Sequence, residues 1–173
     1  IDISAVRTHH TMADIEEIVG YAKEFKFINV HVLPNWMKQL SEMLKDVEFD
    51  VIVGAESRGF IFGMPVAYEL HKPFILARKP GKLPRETVSM DYALEYGTGT
   101  IEMHADSIRP GQRVVIIDDL IATGGTVEAI AKLVERLGGQ VVKICFVMEL
   151  AGLKGREKLA GYDVESAIVY EGK

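Results

Sequence analysis

The chain has 173 residues, a length typical of one compact domain, and 48% of them are hydrophobic while 26% are charged. Its 25 acidic and 20 basic residues give a net charge of -5, which argues against a general nucleic-acid binder. The single cysteine, Cys145, excludes an internal disulfide framework and a cysteine-rich zinc site, and we expect it to be an inert buried thiol.

The chain carries neither of the two sequence signals for membrane insertion or secretion. No apolar run reaches the roughly 18 residues of a membrane span. No succession of basic, apolar and small residues typical of a secretory signal stands at the N-terminus. We therefore expect a cytoplasmic protein that does not contact a membrane.

The first half of the chain alternates between helix and strand patterns. Residues 11–14 have the Thr-x-x-Asp form of a capping box and predict a helix. Residues 27–33 predict a strand, and Pro34 opens a second helix with apolar residues on one face. Two short apolar runs, 50–55 and 73–78, then predict buried strands of the parallel type on either side of a glycine-containing helix.

The second half opens with a long polar connection over residues 79–98, which we interpret as a functional lid because loops of this length are uncommon in compact domains. The elements predicted after it are strand 112–119, helix 125–137, strand 140–150, a short helix near 153–160 and strand 164–170. This alternation predicts an α/β fold with a mostly parallel central sheet flanked by helices.

The stretch VVIIDDLIATGGTVEAI, residues 114–130, carries the strongest chemical signals. Ligands of parallel sheets bind beyond the carboxyl ends of the strands. The Thr-Gly-Gly-Thr turn at 123–126 offers backbone N–H groups, two hydroxyls and the positive end of a helix dipole to a phosphate. The adjacent carboxylates of Asp118 and Asp119 only accept hydrogen bonds, so they suit a vicinal diol or a metal ion. Phosphate and diol together describe a ribose 5-phosphate.

A plainer interpretation of this stretch is a capped helix after a strand, with both acids in solvent. The stretch is neither a P-loop nor a dinucleotide-binding turn. The pattern G-x-x-x-x-G-K-[ST] is absent from the chain, and G-x-G-x-x-G follows none of the predicted strands.

A second predicted strand end carries GAESRGFIFG, residues 54–63. Here Ser57 and Arg58 open a helix, and the guanidinium offers a forked donor to phosphate oxygens. An N-capped helix with a surface arginine would explain the same residues. The polar connection then supplies four cations that would suit a lid closing over a polyanion: Arg78, Lys79, Lys82 and Arg85.

These residues carry a resemblance. VIIDDLIATGGT is similar to the phosphoribosyl-pyrophosphate signature of type I phosphoribosyltransferases. GAESRGFIFG, RKPGKLP, LEYGT and ELAGLKGREKLAGYDV together resemble the adenine phosphoribosyltransferase family, in order and at compatible spacing over residues 50–171. The resemblance implies a type I phosphoribosyltransferase fold, phosphoribosyl pyrophosphate and a purine base as substrates, Mg²⁺ as cofactor and a homodimer.

The resemblance also implies roles for individual residues. Asp118 and Asp119 would hold the ribose hydroxyls near Mg²⁺, while Ser57 and Arg58 would bind the pyrophosphate leaving group, helped by Arg78, Lys79 and Lys82. The 5-phosphate would lie in a cradle formed by Ala122, Thr123, Gly124, Gly125 and Thr126.

The catalytic residues implied are Glu95 and Arg58. Glu95 would relay a proton from the purine ring, a task that benefits from a raised pKa, and Tyr96 stands beside it in the loop. Leu120 and Leu150 match positions that help to sandwich the purine. A lid with cations and one carboxylate would neutralise the leaving group and exclude water.

The N-terminal segment departs from the family. The phenylalanine-proline-glycine turn and the Phe-Arg-Asp-Ile pattern are absent, so we expect a single domain over 1–173 with an atypical segment at 1–49. Residues 1–46 resemble the start of deoxyribose-phosphate aldolase, without the later lysines of its Schiff-base chemistry. A join near 46–50 would fit a natural variant, an artificial chimera or a misjoined fragment.

Our leading hypothesis is a purine phosphoribosyltransferase with adenine as the favoured base. One alternative is a regulatory module that binds phosphoribosyl pyrophosphate without catalysis, against which Lys82 and Glu95 argue, because a sensor needs no proton relay. The other alternative is an engineered chimera without activity, which the N-terminal segment would explain.

Overall fold

The computed structural model describes residues 2–4, 29–31, 34–93 and 97–171. Two short strands, β1 (Asp2–Ser4) and β2 (Asn29–His31), pair in parallel as a small separate sheet. Strand β2 lies within the strand predicted over 27–33, whose other residues lie outside the described part of the chain. The helix predicted from residue 11 lies outside the described residues.

A five-stranded parallel sheet forms the centre of the molecule. Its strands follow the spatial order β4-β3-β7-β8-β9. Their bounds are β3 (Val51–Ala55), β4 (Phe74–Ala77), β7 (Arg113–Ile121), β8 (Gln140–Leu150) and β9 (Val164–Tyr170). The predicted fold class is confirmed.

Helices cover both faces of this sheet, because successive side chains of a buried strand point to opposite faces. Among the described residues, the longer helices are α1 (Pro34–Leu44), α2 (Arg58–Glu69) and α3 (Gly125–Arg136). Ile52 packs with Leu40 of α1 and Val66 of α2, whereas its neighbour Val53 packs with Ile130 of α3. Each such fully buried side chain stabilises the fold by roughly 1.5–3 kcal/mol.

The prediction of an irregular connection over 79–98 is wrong in its second part. Strand β5 (Thr87–Ala93) pairs in antiparallel fashion with β6 (Thr98–His104). The apolar residues Val88, Met90 and Tyr92 alternate along β5 and pack against the core, which is why this polar stretch forms a strand. The stretch that we interpreted as a lid therefore contains one strand of a hairpin whose inner face packs against the core.

Two further boundaries differ from the predictions. Strand β7 continues through both acids to Ile121, because Asp118 and Leu120 still pair with Phe146 and Met148 of β8. The helix predicted near 153–160 is a 3₁₀ turn at Ala151–Leu153 followed by the one-turn helix α4 (Gly155–Lys158).

The structure also shows the surroundings of Cys145 and the character of the described helices. Cys145 is buried in the core as expected, and burial raises the pKa of its thiol to about 12, which disfavours the reactive thiolate. Among the helices that the structure describes, none has the length and apolar character needed to cross a membrane. The cytoplasmic location stays a prediction.

Candidate active site

The two sequence stretches singled out for ligand binding lie side by side. Strands β3 and β7 are parallel neighbours, and Gly54 pairs with Ile117, so their carboxyl ends meet at one edge of the sheet. The Arg58 side chain donates a hydrogen bond from Nε to Oδ2 of Asp119. A β-carbon placed on Gly59 would lie 2.8 Å from the carbonyl oxygen of Ile117, so only glycine lets α2 start this close to β7.

The Thr-Gly-Gly-Thr turn joins β7 to α3 and lines a cleft. Gly124 is the N-cap of α3 and has a φ of 77°, a left-handed conformation that glycine adopts without steric cost. The first amide groups of a helix have no partner within the helix, so those of α3 are available to an anion. The cleft is lined by Asp118, residues 120–127 and Phe146. This geometry at the end of a strand is the one that the sequence predicted for a phosphate cradle, and we call residues 122–126 the cradle.

The two aspartates differ in their surroundings. Burial, together with the neighbouring charge of Asp119, raises the pKa of Asp118 well above its usual range. The backbone N–H of Asp119 donates to Oδ1 of Asp118 at 2.8 Å. The side chain of Asp119 is 20% exposed and accepts a hydrogen bond from Arg58. Asp119 is therefore the acceptor better placed to exchange a protein partner for a ligand hydroxyl.

A third carboxylate in the site, Glu56, was missed by the sequence reasoning. Its side chain is only 7% exposed and accepts hydrogen bonds from Lys82 Nζ at 2.6 Å and from the backbone N–H of Lys79 at 2.8 Å. The guanidinium of Arg78 approaches Glu56 at 3.3 Å. Burial acts to raise the pKa of Glu56, but the hydrogen bonds from these donors outweigh it and lower the pKa to about 2. The only signal in the sequence was an acid at the end of a buried strand.

The four cations predicted for the lid do not form one group. Arg78 and Lys82 converge on Glu56, and Arg78 Nη1 also donates to the carbonyl oxygen of Lys82 at 3.1 Å. Lys79 joins them through its backbone, while its side chain is exposed. Arg85 instead pairs with Asp106 at 2.5 Å, and both side chains are exposed. The side chains of Arg78 and Lys82 therefore converge on Glu56, whereas those of Lys79 and Arg85 do not, and the role of all four as phosphate-binding cations stays a prediction.

The remaining predicted residues surround this centre or lie outside the described part. Leu120 lines the cleft, and Leu150 is half-buried at the carboxyl end of β8. Phe146 also lines the cleft and was not anticipated, because its run of apolar neighbours is typical of a core strand. Glu95 and Tyr96 lie outside the described residues, so the structure does not test their roles.

Comparison with known proteins agrees with this geometry. Residues 30–173 match the phosphoribosyl transferase domain family. The adenine phosphoribosyltransferase of Lachnoclostridium phytofermentans is 72% identical over 135 residues, which cover 78% of this chain and 78% of that protein. The enzyme of the same name from Alkaliphilus oremlandii is 54% identical over 165 residues, covering 91% of this chain and 96% of that protein.

Solved structures give the same result. The crystal structure of adenine phosphoribosyltransferase from Thermoanaerobacter pseudethanolicus superposes with a TM-score of 0.77 at 50% identity, covering 91% of this chain and 87% of that one. The Saccharomyces cerevisiae enzyme, complexed with adenine and an imino-altritol bisphosphate, superposes with a TM-score of 0.72 at 35% identity, covering 87% and 99%.

The resemblance of residues 1–46 to deoxyribose-phosphate aldolase finds no support in these comparisons. The family match begins at residue 30 and therefore runs through the suspected join at 46–50. The chain belongs to the phosphoribosyl transferase family, and within it to the adenine phosphoribosyltransferases.

Proposed function

We infer that this chain transfers the 5-phosphoribosyl group of phosphoribosyl pyrophosphate to adenine, giving AMP and pyrophosphate. The observation that carries this function is the meeting of two strand ends, where Asp118 and Asp119 stand between the phosphate cradle and the cations around Glu56. The identity of 72% to an adenine phosphoribosyltransferase supports adenine as the base.

The sugar phosphate fits the chemistry of the β7 end. The ribose hydroxyls are donors and suit the carboxylate of Asp119, which would release Arg58 when the diol binds. The 5-phosphate suits the cradle at 122–126, where the amides at the start of α3 and the helix dipole face an anion.

The leaving group fits the β3 end. The pyrophosphate would be bound here, and its charge neutralised by nearby cations, as the bond between C1 and its oxygen breaks. The binding residues would be Ser57, Arg58, Arg78, Lys79 and Lys82, of which all but Ser57 are cations. The ribose then carries positive charge at C1, and the new bond forms from N9 of adenine. Donors fixed in advance at the point where charge develops supply much of the stabilisation in such reactions.

We propose that Glu95 accepts the proton that adenine loses in the reaction, with Tyr96 beside it in the sequence. Glu95 would act either directly as the base for N9 or through N7. Support comes from the hairpin, because a β-carbon placed on Gly125 would lie 2.8 Å from the carbonyl oxygen of Ala93. Strand β5 thus ends against the phosphate cradle, two residues before Glu95 in the sequence. Leu120, Leu150 and Phe146 offer apolar surface for the two faces of the base.

Mg²⁺ is the cofactor that we propose for this site. Carboxylate oxygens are the protein ligands that Mg²⁺ prefers, together with substrate oxygens, and Asp118 and Asp119 would supply them here. Neighbouring positive charge also favours the ionised form of Asp118, whose burial opposes it. When bound, the ion would offset the negative charge of the pyrophosphate.

We also propose that the chain forms a homodimer through the outer face of α2. Ile61, Met64 and Tyr68 lie three and four residues apart and are 50%, 55% and 83% exposed, which gives the helix a continuous apolar face. Sedimentation velocity should report a dimer for the natural chain and a monomer for Tyr68→Glu. A monomeric natural chain at micromolar concentration would refute this assembly.

One assay tests the activity. The protein is mixed with phosphoribosyl pyrophosphate, Mg²⁺ and, in turn, adenine, other purines or orotate, and pyrophosphate release is followed. We expect release with adenine. Release only with another base would correct the substrate, tight binding without release would support a non-catalytic sensor, and no binding would leave an inactive chimera.

A further inference from the structure

The segment that follows β8 lies directly behind the phosphate cradle. Gly155, the first residue of α4, is buried, and a β-carbon placed on it would lie 2.4 Å from the carbonyl oxygen of Ala122 and 3.1 Å from the backbone nitrogen of Gly124. Conversely, a β-carbon on Gly124 would lie 2.5 Å from the carbonyl oxygen of Gly155. The two glycines therefore form a backbone-to-backbone contact that no side chain could enter.

The same segment also approaches the next position of the cradle. The ammonium nitrogen of Lys158 lies 3.8 Å from the place that a β-carbon on Gly125 would occupy. The turn at Ala151–Leu153 and helix α4 thus form one wall behind residues 122–125. Helix α4 spans only four residues, so its position depends on contacts with the rest of the protein.

An ion pair fixes that wall to the sheet. Arg156 donates to Glu149 through two arms, from Nε to Oε1 at 2.8 Å and from Nη2 to Oε2 at 2.7 Å. Its Nη1 donates to the carbonyl oxygen of Val164 at 2.7 Å, and the Ser166 hydroxyl donates to Oε2 of Glu149 at 2.9 Å. Glu149 is 5% exposed, so this bidentate pair is shielded on the carboxylate side.

The position of Glu149 connects the pair to the cradle. Glu149 is paired in register with Ile121, the last residue of β7 before the Thr-Gly-Gly-Thr turn. Arg156 follows Gly155 directly in the chain, so a fixed guanidinium fixes the backbone of Gly155 against Gly124. Gly124 is the N-cap of α3 with a left-handed φ of 77°, and both Gly124 and Gly125 line the cleft.

We propose that Glu149 and Arg156 are positioning residues for phosphoribosyl pyrophosphate: they hold Gly155 against Gly124 and so keep the 5-phosphate cradle in its binding conformation without touching the substrate. The proposal rests on the proposed function, since it assigns the 5-phosphate to residues 122–126. Supporting contacts of this kind, when removed, weaken a bound group by about 10- to 100-fold.

The test compares two ligands that occupy different halves of the site. Ribose 5-phosphate probes the cradle and pyrophosphate probes the cations, and each is measured as an inhibitor of adenine turnover. For Arg156→Lys and Glu149→Gln we expect the KM for phosphoribosyl pyrophosphate and the Ki for ribose 5-phosphate to rise together by about 10-fold or more. The Ki for pyrophosphate and the KM for adenine should stay within about twofold.

The matched control is Arg113→Lys. Arg113 also forms ion pairs, with Glu48 at 2.5 Å and Asp50 at 3.4 Å, but it stands at the opposite end of β7. This variant should leave all four constants unchanged. Gly155→Ala carries a β-carbon into the Ala122 carbonyl and should show the strongest cradle defect, whereas the two polar variants keep the test valid if it fails to fold.

The outcomes separate this inference from the function on which it rests. An inactive natural chain would refute the proposed function itself. An active natural chain whose Arg156→Lys and Glu149→Gln variants bind ribose 5-phosphate normally would refute the positioning role. Equal weakening of ribose 5-phosphate and pyrophosphate, or a lower melting temperature with unchanged Ki values, would reduce the pair to a general stabiliser and would also overturn the proposal.

Discussion

The two halves of the site are built by different means. The half that we assign to the 5-phosphate consists of backbone held by backbone, with Gly124 against Gly155 and the carbonyl of Ala93 over Gly125. The half that we assign to pyrophosphate consists of long side chains held by charge, with Lys82 on Glu56 and Arg58 on Asp119. A backbone cradle cannot exchange its partners, whereas ion pairs can.

This difference suits the two tasks. The 5-phosphate stays on the ribose throughout the reaction, so a fixed cradle serves substrate and product alike. The pyrophosphate arrives with the substrate and leaves as a separate product, so its binding cations need other partners once it has gone. Under the proposed function, Asp119 and Glu56 would be those partners, since they accept hydrogen bonds from Arg58 and Lys82.

The largest effect should come from a residue that belongs to neither half. If both halves bind the substrate and take no part in proton transfer, Glu95→Ala should lower kcat by roughly 10²- to 10⁴-fold, the usual contribution of a general base. The KM for phosphoribosyl pyrophosphate should stay within about threefold. Steady-state kinetics against pH will check this, with Glu95→Gln as a variant of the same shape. An unchanged kcat would remove Glu95 from the mechanism.

The next effect tests the rigidity of the cradle. Gly124→Ala combines a left-handed φ of 77° with a β-carbon placed 2.5 Å from the Gly155 carbonyl, so we expect the KM for phosphoribosyl pyrophosphate to rise by about 100-fold. Gly111→Ala is the control, because Gly111 has a φ of 81° and nothing within 4 Å of its β-carbon position. The control should cost about 1–2 kcal/mol of folding stability and leave the KM unchanged. Equal KM values for the two variants would show that the cradle tolerates displacement.

The sequence predicts the two halves unequally well. The apolar run before Asp118 and the glycines after it specify a strand, a turn and a helix locally, and the structure forms that unit with only a longer strand. Hydrophobic alternation at Val88, Met90 and Tyr92 was also present, but nearby prolines and charges concealed it, so the hairpin was missed.

Side-chain partners over long separations were beyond the sequence. Glu56 meets Lys82 because β3 and β4 are neighbours in the sheet and the chain turns back after β4. Glu149 meets Arg156 only because the chain reverses through a 3₁₀ turn after β8. Charges leave no periodic pattern that reveals their partners, so such pairs appear only when the sheet order is known.

The ion-paired half should respond to Glu56→Gln through stability. The pKa of Glu56 is lowered to about 2, so its ionised form stabilises the fold above the ordinary carboxyl pKa, and that contribution disappears as the pH falls towards 2. We therefore expect a loss of about 1–3 kcal/mol at pH 7 that shrinks below about pH 4. Urea unfolding at several pH values measures it.

The same variant should also affect product release. Without the carboxylate as competitor, Lys82 and Arg78 become more available to pyrophosphate, so its Ki should fall by a few fold. Asp106→Asn is the control, because its exposed pair with Arg85 contributes at most about 1 kcal/mol. A higher Ki for pyrophosphate in Glu56→Gln would mean that Glu56 positions the cations and does not compete for them.

The smallest expected effect is a gain in folding stability for Asp118→Asn, opposite in sign to the loss expected for Glu56→Gln. Burial and the charge of Asp119 raise the pKa of Asp118, so the ionised carboxylate destabilises the ligand-free fold. The penalty is absent below the unfolded pKa of about 3.9 and grows as the pH rises through the folded pKa. Asp118→Asn should therefore stabilise the fold by on the order of 1 kcal/mol and raise the melting temperature, with a larger gain at pH 8 than at pH 5. The same variant should weaken the binding of phosphoribosyl pyrophosphate. Thermal unfolding with and without the substrate will check both parts. A variant that is less stable than the natural chain at pH 8 would show that favourable contacts hold the ionised carboxylate of Asp118. The contrast between a fixed half and an exchangeable half would then not apply to Asp118.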